Sequence, residues 1–210
     1  MFSRINAYFH HADKNVADNR WIFASMLVGA ILSLIAAFVL SVDAIELAKN
    51  PNAQLTCSVN AIINCATVGR HPSAALFGFP NSFLGLIAEP VVITVAIAGL
   101  AAVKFPRRFM FTAQVCYTLG FVFAYYLLYM SMFVIQALCP WCLLVTLSTT
   151  FVFFSMTRYN VREGNLYLSA RLERLAKSFI KKDYDKLILA SLVVLVMAGI
   201  ILKYGSDLFA

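Results

Sequence analysis

Residues 109–157 read FMFTAQVCYTLGFVFAYYLLYMSMFVIQALCPWCLLVTLSTTFVFFSMT, 49 consecutive positions without one Asp, Glu, Lys or Arg. As a single helix this stretch would be about 74 Å long, more than twice the ~30 Å hydrocarbon core of a bilayer. It therefore folds back on itself as two spans. The break falls at 136–141, because Pro140 cannot continue a helix but suits the first turn of a new one. The new helix opens on Cys139-Pro140-Trp141-Cys142, so the turn also carries chemistry.

The rest of the 210-residue chain agrees with a membrane reading. Hydrophobic residues make up 61% of it and charged residues 13%, against about 25% charged in an ordinary globular domain. Mean hydropathy is +0.80. Such a chain cannot cover a water-facing surface. Residues 21–42 form a first uncharged run, long enough to cross a bilayer and too long for the apolar core of a cleaved signal. Residues 83–103 form a second, carrying only Glu89, just before Pro90. The last run, 187–202, is shorter, but Lys186 and Lys203 can snorkel at its ends and Tyr184 and Tyr204 suit the interfaces. The expectation is an all-α integral membrane protein: a four-helix transmembrane bundle with a fifth transmembrane helix.

Charge orients it. With the N-terminus inside, 14 of the 17 Lys and Arg residues fall on the cytoplasmic side, leaving only Lys49, Arg70 and Lys203 outside. The divisions expected are a cytoplasmic segment 1–20, a four-span bundle 21–157 with an outer loop 43–82, a basic cytoplasmic segment 158–186, a fifth span 187–203 and an outer tail 204–210. The net charge of +7 belongs to this orientation, with the lipid bilayer and its anionic headgroups as partner and no nucleic acid. Leu166, Leu168, Leu172, Leu175 and Phe179, set among Arg171, Arg174 and Lys177, read either as an amphipathic helix over 165–179 on the membrane surface or as a solvated linker.

Four of the five cysteines then lie on the outer, oxidising face: Cys57 and Cys65 in the loop, Cys139 and Cys142 at the turn. Cys116 sits alone in the third span and reads as an apolar packer. Pro140 at the first helical position places Cys139 at the N-cap, where unpaired N–H groups and the helix dipole favour a thiolate. Cys142 would lie about one turn deeper, so that one thiol faces the aqueous loop and its partner the lipid interior. Zinc binding by the tetrad is disfavoured by the oxidising face and by the lack of a histidine among the four, so no metal is expected. Two structural disulfides fit the count, but not the placement at the mouth of a bundle.

The loop pair Cys57-x7-Cys65, then Phe77-Gly78-Phe79-Pro80-Asn81-Ser82-Phe83-Leu84-Gly85 leading into the second span, then Cys-x-x-Cys opening the fourth, resembles the bacterial form of the vitamin K epoxide reductase family. The resemblance covers about residues 20–157, with the fifth span matching the bacterial extension. It implies a bundle enclosing a quinone, either menaquinone or ubiquinone, in a bacterial inner membrane. Electrons would pass from a separate thioredoxin-fold, DsbA-like periplasmic protein to Cys57, from Cys65 to Cys139, and from Cys142 to the quinone. It also implies that Asn81 hydrogen-bonds a quinone carbonyl, that Val68 caps the ring, and that Leu84 helps line the pocket.

This chain departs from the family in three places. His71 stands where Ser or Thr is usual, with Ser73 nearby; it either donates a hydrogen bond or tunes a thiol, or is a turn residue before Pro72. Thr146 stands where animal members have a tyrosine. The thioredoxin-like domain that follows the fifth span in many bacterial members is not expected here, which makes the thiol partner a separate protein. Glu89 either handles a quinone proton or is a structural acid beside Pro90. Tyr125, Tyr126, Tyr129 and Phe121 stripe the third span as packing or as a quinone box. The expected activity is quinone-dependent thiol oxidation supporting disulfide formation in exported proteins. The alternatives are reduction of vitamin K or its epoxide on the same fold, and a non-enzymatic scaffold or transporter with structural disulfides.

Overall fold

The structure, a computed structural model, describes residues 14–205. Arg4, in the expected N-terminal segment, and residues 206–210 of the expected tail lie outside the described residues. Helix α1 (Lys14–Lys49) is followed by a loop holding a short helix α2 (Cys65–Arg70) and a 3-10 turn (Pro72–Ala75). Then come α3 (Ser82–Leu100), α4 (Arg107–Tyr129) running into a π-helical turn (Met130–Ile135), α5 (Pro140–Arg162), α6 (Ala170–Lys181) and α7 (Tyr184–Tyr204). Among the described residues, five helices are long and apolar enough to cross a membrane.

At 36 residues α1 is about 54 Å long and outruns its uncharged stretch at both ends. Nothing in residues 43–49 breaks a helix, and it stops where Pro51 disfavours helical geometry at Asn50. Helix α1 packs along both α3 and α5; α4 and α7 pack on α5, while α3 and α4 barely touch. That gap becomes the cavity described below. The α1–α3 crossing needs small residues, since a Cβ on Gly85 would stand 2.8 Å from the Ala37 Cβ. Away from the gap the bundle is closed by Phe23, Met26, Ala30, Ala96, Met110 and Val152.

Buried polar side chains of α4 and α5 in this half pair with one another. The fully buried Asn160 donates to Gln114 Oε1 at 2.9 Å, and Gln114 Nε2 donates to Thr157 Oγ1 at 3.1 Å. Beyond them Arg158 grips both Asp185 oxygens at 2.8 Å and reaches Asp183 and Asp18, tying the start of α1 and the start of α7 to the end of α5. The aromatic stripe of α4 divides between two roles. Phe121 stacks on Phe153 and the Tyr125 hydroxyl meets Thr150 Oγ1 at 3.0 Å, which is α4–α5 packing, while Tyr126 and Tyr129 point outward.

Two expectations shift. The amphipathic helix starts at Ala170 rather than 165, because Gly164 and Tyr167 adopt left-handed backbone that ends α5 and delays the next helix. Its Leu172, Leu175 and Phe179 are exposed, with only the Phe179 ring meeting a neighbour, Tyr184, among the described residues' aromatic contacts. Cys116 is not a core packer: it is exposed on α4 and lines the cavity.

Gly85→Ala is expected to cost about 1–3 kcal/mol by overpacking the α1–α3 crossing. Gly120→Ala, where an added Cβ meets nothing within 4 Å, should leave stability unchanged or raise it by up to about 1 kcal/mol. Reversible unfolding in mixed detergent micelles reads both.

Candidate functional site

The turn between α4 and α5 is built to end one helix and start another within a few residues. The π-helical turn ends at Gln136, whose φ of 59° is left-handed, and the Ser131 hydroxyl and carbonyl both bond to Ala137. Cys139 is then the N-cap of α5, with extended backbone, Pro140 behind it and its Sγ accepting the Cys142 N–H at 3.4 Å. This is the N-cap placement expected from Pro140.

The loop is brought to this turn by its backbone. Asn60 Oδ1 accepts the N–H groups of Ile62 and Ile63, folding 59–63 tightly. Leu138 N–H then donates to Ile62 O at 2.7 Å and Asn64 N–H donates to Leu138 O at 2.9 Å, a short parallel bridge between Ile63 and Leu138. Asn64 next caps α2, accepting the Thr67 N–H at 2.9 Å, and Cys65 is the first residue of that helix. Cys65 and Cys139 thereby enter one buried apolar cluster with Leu47, Leu55 and Ala66, against which Cys57, Val68, Trp141 and Cys142 pack.

Cys57 and Cys65 form a disulfide, while Cys139 and Cys142 are free. Cys139 does not face the aqueous loop as expected: it is 1% exposed, sealed beneath the loop by Leu47, Leu55 and Cys65. The hydrogen bond from the Cys142 thiol holds the Cys139 thiol below its usual range, with the backbone N–H groups of Cys142 and Trp141 adding to it and burial and the Asp43 charge opposing.

Cys139 and Cys142 open onto a cavity of about 1060 Å³ in the gap between α3 and α4, walled by α1 and α5. Val68, Ser73, Asn81, Leu84 and Glu89 all line it, so these residues from the loop and α3 share one space with both thiols. Cys57 and His71 do not line it. His71 works at one remove: its Nδ1 accepts the Ser73 N–H at 3.2 Å, and Ser73 O accepts from Asn81 Nδ2 at 2.6 Å. Asn81 Oδ1 also accepts the Leu76 N–H, so His71, Ser73 and Asn81 form one braced turn ahead of α3.

Sequence reasoning passed over Asp43. It lines the cavity, and its Oδ2 lies 3.8 Å from Cys57 Sγ. Its signal was in the spacing of Ala37, Leu40, Ala44 and Leu47, a helical stripe on which Asp43 also falls once α1 is carried past Val42. Because the Asp43 charge opposes thiolate formation at Cys139, Asp43→Asn is expected to lower the pH of the first ionisation of the Cys139/Cys142 dithiol. Ultraviolet thiolate absorbance against pH, in a Cys116→Ala background with Cys57–Cys65 intact, measures it. An unchanged titration would show that the charge is not felt there.

A family model described as the vitamin K epoxide reductase family matches residues 24–157, more than half of the chain and all four of these cysteines. No curated protein matches the chain. The chain belongs to the vitamin K epoxide reductase family, an all-helical membrane family of quinone-linked thiol oxidoreductases.

Proposed function

We propose that this protein oxidises a separate thioredoxin-fold protein on the outer face of a bacterial plasma membrane and passes the electrons to a membrane quinone, supporting disulfide formation in exported proteins. The observation that carries this reading is the burial of Cys65 and Cys139 in one cluster at the mouth of a cavity that Cys142 lines. A thiolate of the partner attacks Cys57 of the Cys57–Cys65 disulfide and releases Cys65; the partner's second thiol resolves the mixed disulfide and leaves as an oxidised pair. Cys65 then attacks Cys139 of an oxidised Cys139–Cys142 pair, and Cys57 resolves that bridge. Finally Cys139 and Cys142 lose two electrons and two protons to the quinone, becoming a disulfide as the quinone becomes quinol. The pairing in the structure, Cys57–Cys65 joined and Cys139 and Cys142 free, is the state that precedes this last transfer.

The cavity supplies what a quinone ring needs. Its lining is mostly apolar and includes Val68, Leu84 and Cys142, which supports a ring packed against the first two beside the thiol. Asn81 spends one amide hydrogen on Ser73 O and keeps the second for a carbonyl. Menaquinone and ubiquinone both fit this description. The placement of 14 of 17 Lys and Arg residues supports the outer face for the cysteine end.

Reduced, quinone-stripped protein given one equivalent of quinone without oxygen should form quinol with loss of two thiols. Cys142→Ser should form none. Cys57→Ser should still reduce one equivalent of quinone but fail to turn over with a reduced thioredoxin-fold partner. Absence of quinol from wild type with either quinone would contradict the reading.

A further inference from the structure

Glu89 sits in α3 one residue before Pro90, 4% exposed, on the wall of the cavity. Its Oε1 accepts two hydrogen bonds, from Ser33 Oγ of α1 at 2.9 Å and from the Tyr117 hydroxyl of α4 at 3.3 Å. Its Oε2 is buried with no partner. A structural acid would have both oxygens satisfied, since each buried polar atom left unpaired costs about 1–3 kcal/mol. Among the described residues no cation pairs with it: Arg70 also lines the cavity, but on the loop, with its Nη2 given to Ala53 O. With both protein donors on Oε1, the proton of the neutral acid belongs on Oε2, the uncommitted donor of a side chain that lines the cavity.

Asn81, the N-cap of α3 with helical backbone, lies eight positions earlier and lines the same cavity. Eight residues of helix rise about 12 Å. The two oxygens of a 1,4-quinone stand about 5 Å apart, and a hydrogen bond of about 2.8 Å at each end extends the span to about 11 Å. The hydroxyl of Thr146 cannot serve the deeper carbonyl as donor, because it already donates to Cys142 O at 2.9 Å. We propose that Glu89 is the hydrogen-bond donor to the second carbonyl of a 1,4-quinone whose first carbonyl is held by Asn81, so that the site selects para-quinones. This deepens, and rests on, the quinone-reductase reading above. The ring then stands along α3 with Cys142 of α5 beside it. Glu89 serves as a donor and is not consumed, because the two protons of the dithiol balance the two of the quinol.

The test is calorimetric binding of 1,4-naphthoquinone and of 1,2-naphthoquinone to the full-length, quinone-stripped protein in detergent, with both cysteine pairs oxidised so that no electrons pass to the ligand. Glu89→Gln keeps an oxygen for Ser33 and Tyr117 and an N–H for the ligand, so its affinity should stay within about 3-fold of wild type. Glu89→Leu removes the donor and should weaken the 1,4-quinone by about 10-fold while leaving the 1,2-isomer, whose adjacent oxygens cannot span the site, unchanged. Equal 1,4-quinone affinity in wild type and Glu89→Leu would overturn the assignment, as would equal losses for both isomers, and would place a water or nothing on Oε2. Wild type binding neither quinone would instead overturn the quinone-reductase reading itself. A folded Glu89→Gln that retains affinity separates the missing donor from a damaged bundle.

Discussion

The two hydrogen bonds between Leu138 and the backbone of Ile62 and Asn64 hold the chemistry together. Each contributes only about 1 kcal/mol net. They nevertheless fix where a loop that leaves α1 at Asn50 comes down, and they do so at the residue immediately before Cys139. From that bridge Asn64 caps α2, α2 sets Cys65 in its first turn, and Cys65 meets Cys139 under a cover of Leu47 and Leu55. Apolar burial then exceeds the hydrogen bonds in energy, but it is non-directional. The backbone bridge is what selects which cysteine is covered.

A turn inside a membrane-spanning run leaves carbonyls without helical partners, and lipid supplies none. Here the protein satisfies them with its own groups. Ser131 and Ala137 close the π-helical turn on itself, while Lys203 and the Tyr204 hydroxyl, from the last turn of α7, both donate to Met132 O. The fifth helix thus reaches back to the segment that presents the Cys-x-x-Cys. At the other end Arg158 ties the same helix to α5 through Asp185. Helix α7 is therefore tied to the π-helical turn at one end and to α5 at the other, and Ile200 and Tyr204 complete a buried cluster with Leu128, Met132 and Leu138 at the turn itself.

Much of this was legible in the residues. An uncharged run of 49 positions can only be two spans, and Pro140 can only open the second, so the N-cap role of Cys139 follows from local rules. The five spans are equally local, being lengths of apolar chain. What was not legible depends on contacts between distant segments. Nothing near Ile62 announces that it pairs with Leu138, and the burial of Cys139 is a consequence of that pairing. His71 and Asn81 carry side chains that suit ligand contacts or turns alike, and only the fold shows His71 spent on Ser73. Asp43 was hidden because a charge marks the end of an apolar run, whereas the helix itself ignores that boundary and continues to Lys49. Glu89 was visible as an acid in an apolar span, but its two donors come from Ser33 and Tyr117, distant in the chain.

The central claim is that the loop bridge delivers Cys65, and not Cys57, to Cys139. The direct measurement is to trap that contact in a Cys57→Ser, Cys142→Ser double variant, oxidise it mildly, and map the disulfide by mass spectrometry. The account predicts a Cys65–Cys139 bridge in high yield, lost when Leu138→Pro removes the N–H that Ile62 accepts. A variant retaining Cys57 in place of Cys65 that bridges to Cys139 equally well, or no bridge to Cys139 from either, would contradict it.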